Sequence, residues 1–236
     1  GDSSVIVAVL DTGCDLTHPD LRLADGLSVN DPEGHGATRT VPGYVEGHGT
    51  MCAGVAAAVA NNLKGLQGVA GRCVILPVAF QNGTDWEFLS ALTWAADHRA
   101  QVASMSFSIY GDAWDLAVAG QAVTYAAGKD MVLCAAAGNA DRSTVGSPAS
   151  DGRVIAVGAS TRSTPERRIA KGATFEWGSN YGPNLSVVAP GTGIPTTCIE
   201  GNGDGGVWGT RYVAGFYGTS AATPHVAGLA ALVRQG

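Results

Sequence analysis

The most constraining feature of this chain is a set of short, unbroken apolar runs. Residues 5–10 read Val-Ile-Val-Ala-Val-Leu, with no polar position to mark a solvent face. A half-exposed strand alternates apolar with polar residues. A continuous β-branched run suits a strand buried on both faces, as in a parallel sheet. Runs of the same kind return at residues 74–80, 102–108, 131–137 and 154–158. Helical patterns lie between them. Residues 51–59 are small and apolar, as in a helix packed closely on a neighbour. Residues 86–99 carry Phe88, Leu89, Leu92, Trp94, Ala95 and Ala96 at helical spacing, and residues 114–127 are again amphipathic. Strands alternating with helices predict βαβ units, hence a mainly parallel sheet with helices on both faces. Residues 22–46, 61–71 and 162–178 read as loops, and residues 199–217 as a turn and hairpin.

Nothing divides the chain. At 236 residues it is long enough for one sizeable core, and it has neither a linker-like segment nor an internal repeat. Residues 1–236 are therefore read as one domain. The net charge is −6, and the only basic block is the short segment 162–171, which argues against a nucleic-acid partner. No apolar run approaches the ~20 residues that cross a bilayer, so no membrane association is expected. The cysteines are Cys14, Cys52, Cys73, Cys134 and Cys198, an odd number that leaves at least one thiol unpaired. No Cys/His pair has zinc spacing, so a metal–thiolate site is not expected. No cysteine stands at a loop-to-helix junction beside a candidate base, which weakens a thiol nucleophile. The redox compartment stays open.

Polar residues stand where these elements end. Asp11 closes the first apolar run, where α/β folds form their ligand crevice. His48 opens the helix after Gly47, and Asn139 follows the run at 131–137. Pro224 is tolerated only near a helix start, which places a helix beginning at Thr219 or Ser220 with Pro224 in its first turn. Ser220 then lies at the positive end of the helix dipole, which suits a hydroxyl whose reaction develops an oxyanion. Singly, each residue has a plainer reading: Ser220 as an N-cap, Asp11 as a turn residue, His48 as a structural histidine. Together they offer what acyl transfer by serine needs: a nucleophile, a base, an orienter of that base and an oxyanion donor.

These residues lie in motifs that resemble the subtilisin-like serine proteases. Val9-Leu10-Asp11-Thr12-Gly13 resembles the family's aspartate box, and Gly47-His48-Gly49-Thr50 its histidine box. Ala136-Ala137-Gly138-Asn139 resembles the asparagine box. The stretch from Gly218 through Ser220 to Gly228 resembles the serine box. The order Asp, His, Ser is the one known for subtilisin. The resemblance implies a three-layer α/β/α fold and endopeptidase activity. Ser220 would be the nucleophile, His48 the base, Asp11 its orienter and Asn139 an oxyanion donor. It further implies an extended polypeptide substrate lying against Ser106, Phe107 and Ser108, with a pocket walled by Ala136, Ala137, Gly138 and Gly146. No cofactor is required for the chemistry. A structural calcium ion is implied at Asp20 and Asn61. A propeptide or inhibitor is an expected partner, and a secreted monomer cut from a longer precursor is the expected form. An intracellular location stays open.

Several positions depart from the family pattern. Ser108 and Ile109 stand where glycines are usual, which narrows the pocket and favours small or medium uncharged residues there. Phe88 and Phe107 are expected to line a more distant apolar subsite. Ala221 follows the serine where many relatives carry Met. The N-terminal calcium ligand has no counterpart, and Lys64 adds a positive charge to the calcium loop. Two further readings remain at this stage. One is a peptide ligase or macrocyclase on the same fold, and the other is a non-catalytic peptide-binding domain.

Overall fold

A computed structural model describes the chain except residues 1–3, 32, 39, 42–43, 81–82, 110–112, 163, 170–175, 201–210 and 236. The apolar runs form β1 (Ile6–Asp11), β5 (Val74–Ala79), β6 (Val102–Met105), β7 (Val132–Ala136) and β8 (Val154–Thr161). Two short strands extend this sheet, β2 (Leu27–Ser28) and β10 (Val187–Pro190). The order is β10-β8-β7-β6-β1-β5-β2, with every neighbour pair parallel. Within this sheet, among the described residues, β9 (Thr164–Arg168) alone pairs antiparallel, on β8. The unbroken run of β1 is explained by burial on both faces. Val7 and Val9 pack into one core, Ala8 and Leu10 into the other.

Each core has its own helix pair. Helices α2 (Asp85–Asp97) and α3 (Ala113–Gly128) cover the Leu10 face through Phe88, Leu92 and Ala122. Helices α1 (His48–Ala57) and α4 (Thr219–Val233) cover the Val9 face through Val55, Ala56, Ala227 and Ala231. This is the expected three-layer α/β/α arrangement. Helix α2 starts in a capping box: Thr84 Oγ1 accepts from the Glu87 N–H at 3.2 Å, and the Glu87 carboxylate accepts from the Thr84 N–H at 3.1 Å.

Strand order places the crevice. From β1 the chain passes through α1 to β5 on one side, then through α2 to β6 on the other. The connection direction thus reverses at β1, and the carboxyl ends of β1 and β6 open onto the gap where open α/β sheets bind ligands.

Several expectations need correction. Strand β6 stops at Met105, so residues 106–108 leave the sheet rather than continuing the strand. The hairpin is formed by β11 (Ile194–Thr197) and β12 (Tyr212–Phe216), so its first arm precedes residue 199; the expected turn at 201–206 lies outside the described residues. The 162–178 segment contains β9 instead of being loop throughout, and part of its basic stretch is also outside the described residues. Short strand β2 and the pair β3 (Thr40–Val41) and β4 (Tyr44–Val45) fall in the region read as loop. Helix α4 starts where expected, but Pro224 sits in its second turn. Phe88 is 0 % exposed, so it lies beneath the surface and cannot line a subsite.

Candidate active site

Asp11, the last residue of β1, is buried, and His48, the first of α1, lies beside it. His48 Nδ1 is 2.8 Å from Asp11 Oδ1, so Nδ1–H donates to the carboxylate and Nε2 is left as the free ring nitrogen. The Thr12 N–H donates to the same oxygen at 2.7 Å. Gly49 permits this approach, because a Cβ there would meet Gly13 O at 2.2 Å and Asp11 Cβ at 3.1 Å. The His48 ring stacks edge-on against Phe216, with centroids 5.5 Å apart. Burial alone would lower the His48 pKa. The Asp11 charge, the hydrogen bond to Asp11 and the contact with Cys52 together outweigh it and hold the imidazole well above 6.5.

Ser220 occupies the second position of α4. Pro224 has no N–H to return to the carbonyl four residues back, so Ser220 O is free of the helix ladder. It accepts instead from the buried Ser106 Oγ at 3.0 Å, with Cys52 Sγ 3.8 Å away. The Ser220 hydroxyl donates to Ser106 O at 3.1 Å. Ser220 and the end of β6 are thus joined by reciprocal bonds, and the hydroxyl rests on Ser106 rather than on His48.

Asn139 reaches the same point from the end of β7. Its Oδ1 accepts from both the Thr219 N–H and the Thr219 hydroxyl, each at 2.9 Å. A backbone N–H can only donate, so this contact fixes the amide orientation and turns Nδ2 outward. The cleft of about 290 Å³ in front of Ser220 is lined by Ser106–Phe107–Ser108, Ala136, Gly138, Asn139 and Thr219. Two of the expected wall residues are set back from it. Ala137 turns its carbonyl to Asn180. Gly146 lies behind Ser108, whose Oγ is 3.0 Å from where a Gly146 Cβ would be, and lines a neighbouring cavity instead. Phe107 is half-buried and packs edge-on against Phe80 and Phe88 at 5.0 and 5.8 Å.

Residues 2–236 match the sequence profile of the subtilase family. The chain belongs to the subtilase family. It is 39 % identical over 239 residues to the thermophilic serine proteinase of Bacillus sp. strain AK1, a match spanning 99 % of this chain and 53 % of that protein. It is 38 % identical over 242 residues to alkaline elastase YaB of Bacillus sp. strain YaB, spanning 99 % of this chain and 55 % of the relative. The chain therefore spans about half the length of these relatives. Among solved structures, a protease from Pseudoalteromonas arctica PAMC 21717 superposes with TM-score 0.75 at 27 % identity, over 99 % of this chain and 78 % of that one.

In this subtilase a thiol lies under the histidine. Cys52, one turn after His48 on α1, is 0 % exposed with Sγ 3.8 Å from His48 Nδ1. Asp11, His48 and Cys52 bring potential ligand atoms within 4.8 Å of one another. Nδ1 is already committed to Asp11, and burial first, then the Asp11 charge, raises the Cys52 pKa, so the group is a neutral thiol. All five cysteines are buried.

The expected calcium loop closes differently. Asp20 is 0 % exposed. Its Oδ1 accepts from Asn62 Nδ2 at 2.6 Å and its Oδ2 from the Leu66 N–H at 3.2 Å. The Tyr212 hydroxyl bonds the same carboxylate. Asn62 Oδ1 is occupied by the Lys64 N–H at 3.0 Å. Asn61 is exposed, and Asn62 rather than Asn61 faces Asp20. Calcium needs a shell of oxygen atoms. Here the carboxylate is met by proton donors, so the residues as arranged do not fit that ion.

Proposed function

We propose that this subtilase domain is a serine endopeptidase acting on extended polypeptide through Asp11, His48 and Ser220. The observation that carries the reading is the Asn139–Thr219 contact. It engages Oδ1, so Nδ2 is the end of the amide left to serve the cleft that Asn139 and Ser220 both line at the N-terminus of α4. Substrate would lie along residues 106–108. The Ser220 hydroxyl turns from Ser106 O to His48 Nε2, gives up its proton there and attacks the scissile carbonyl. The oxyanion accepts from Asn139 Nδ2 and from the Ser220 N–H. His48 then protonates the departing amine, and water releases the acyl group by the same route in reverse. Subtilases need no cofactor for this chemistry.

Ser108 sets the substrate class. Its hydroxyl lies between Gly138 and Gly146, 3.6 and 3.0 Å from where their Cβ atoms would be. The floor is thereby raised, and small uncharged residues such as Ala fit the cleaved position. We further propose one catalytic domain over residues 1–236 that works as a secreted monomer. No described helix is long and apolar enough to cross a membrane.

The test is Ser220→Ala, assayed by fluorophosphonate labelling and by mass analysis of peptide products. Labelling should vanish and turnover should fall to the residual ~10³–10⁴ over water that binding and the oxyanion site alone supply. Labelling that persists in the variant would refute the assignment. A cyclised rather than cleaved product in the wild type would redirect it to transpeptidation.

A further inference from the structure

One buried amide organises the loop that presents Asn139, and no catalytic motif contains it. Asn180 is 2 % exposed and comes from the segment between β9 and β10. Its Nδ2 donates to Ala137 O at 2.9 Å. Its Oδ1 accepts from the Ala140 N–H at 3.0 Å and the Arg142 N–H at 3.1 Å. Its own N–H donates to Gly138 O at 2.8 Å. One residue thus fastens the backbone immediately before Asn139, at 137 and 138, and immediately after it, at 140 and 142. Gly138 runs at φ +105°, and a Cβ there would be 2.5 Å from Asn180 Nδ2, so the loop and the amide are fitted to each other.

The fastening is two-sided. Thr219 holds the tip of Asn139 through Oδ1, and Asn180 holds the peptides that root it. The tip contact fixes which way the amide points, while the root fixes where it stands relative to Ser220. Donors to an oxyanion work because they are already in place when charge develops. A misplacement of about 1 Å can cost on the order of 10²-fold in rate. We propose that Asn180 is a positioning residue for the oxyanion donor, acting on the reaction through Asn139. The inference rests on the reading of Asn139 given above.

A double-mutant cycle tests it, because a residue that acts through another loses its effect once that other is gone. kcat, KM and folded fraction are measured for wild type, Asn139→Ala, Asn180→Ala and the double variant on one peptide substrate. Asn180→Ser, which keeps a hydroxyl for Ala137 O, is measured alongside in case Asn180→Ala does not fold. Per folded molecule, Asn139→Ala should lower kcat about 10²–10³-fold. The Asn180 variants should lower kcat about 10-fold or more in the wild-type background and less than about 3-fold in the Asn139→Ala background. Equal losses in both backgrounds would show a structural role only, and no loss in the wild-type background would show none. Either overturns the proposal. If Asn139→Ala itself leaves kcat unchanged, the assignment of Asn139 fails, and with it the route by which Asn180 was to act.

Discussion

On the proposed mechanism, the Asp11 carboxylate sets the pH at which this site can work. It lies 2.8 Å from His48 Nδ1, and its charge and hydrogen bond, together with the Cys52 contact, favour the imidazolium strongly enough to overcome burial. In the proposed mechanism His48 must be neutral to accept a proton, so activity should appear as pH rises through a value well above 6.5. The sequence alone suggests a limb near ~6.5–7; the ion pair moves it upward. Asp11→Asn removes the charge and offers the wrong hydrogen-bonding partner to Nδ1–H. It should cut kcat about 10⁴-fold and move the acid limb of the kcat/KM profile down. A limb that stays in place in the variant would mean that another group governs it. Ser108 makes the other residue-scale prediction. Ser108→Gly should open the floor between Gly138 and Gly146 and raise kcat/KM for Phe or Leu at the cleaved position about 10-fold relative to Ala. A profile from a peptide library that keeps its preference for small residues would refute the role given to that hydroxyl.

Among the elements, the loop between α1 and β5 carries the sharpest prediction. The Asp20 carboxylate already accepts from Asn62, the Leu66 N–H and Tyr212, so EDTA should leave Tm within about 1 °C, whereas Asp20→Ala should cost about 1–3 kcal/mol by leaving buried donors unpaired. A large fall in Tm with EDTA, restored by calcium, would show that an ion replaces those bonds. The central strands were readable because burial on both faces leaves an unmistakable apolar run, as in β1. That Asp11, His48, Asn139 and Ser220 stand at or near element ends was readable because an apolar run stops or starts close to each. Strands β2 and β10 were not: they are two and four residues long, too short for any period to register. The Ser106–Phe107–Ser108 segment looks like strand locally, and only the reciprocal bonds with Ser220 show where it leaves the sheet. The position of Pro224 could be misjudged by a turn because what excuses it, the Ser106 hydroxyl taking the orphaned Ser220 carbonyl, comes from 114 residues away. Asn180 was illegible for the same reason: its partners lie about 40 residues back, and an isolated asparagine carries no pattern.

At the scale of the whole molecule, every sulfur is inside. The cysteines are at most 1 % exposed, and Met51, Met105 and Met131 at most 4 %. Sulfur oxidation follows access and, for cysteine, thiolate character. Burial denies both to Cys52, the sulfur nearest His48, whose pKa is raised. Cys134, pushed up to about 12, is equally inert. The residue after Ser220 is Ala221, which has no sulfur to convert. Peroxide should therefore inactivate the enzyme slowly. Ala221→Met places a thioether on the residue that follows Ser220, where conversion to the bulkier, polar sulfoxide is expected to displace the Ser220 backbone. Ala221 is 0 % exposed in a filled core, so the longer side chain also costs about 1–3 kcal/mol in overpacking. Rates of loss are thus compared after normalising to each variant's starting activity. The expected outcome is rapid loss in Ala221→Met with one added oxygen on the introduced methionine by mass, and retention of most activity in the wild type under the same treatment. Equal rates in the two proteins, or a wild type inactivated with oxygen on Cys52, would show that the interior is more accessible than its burial implies.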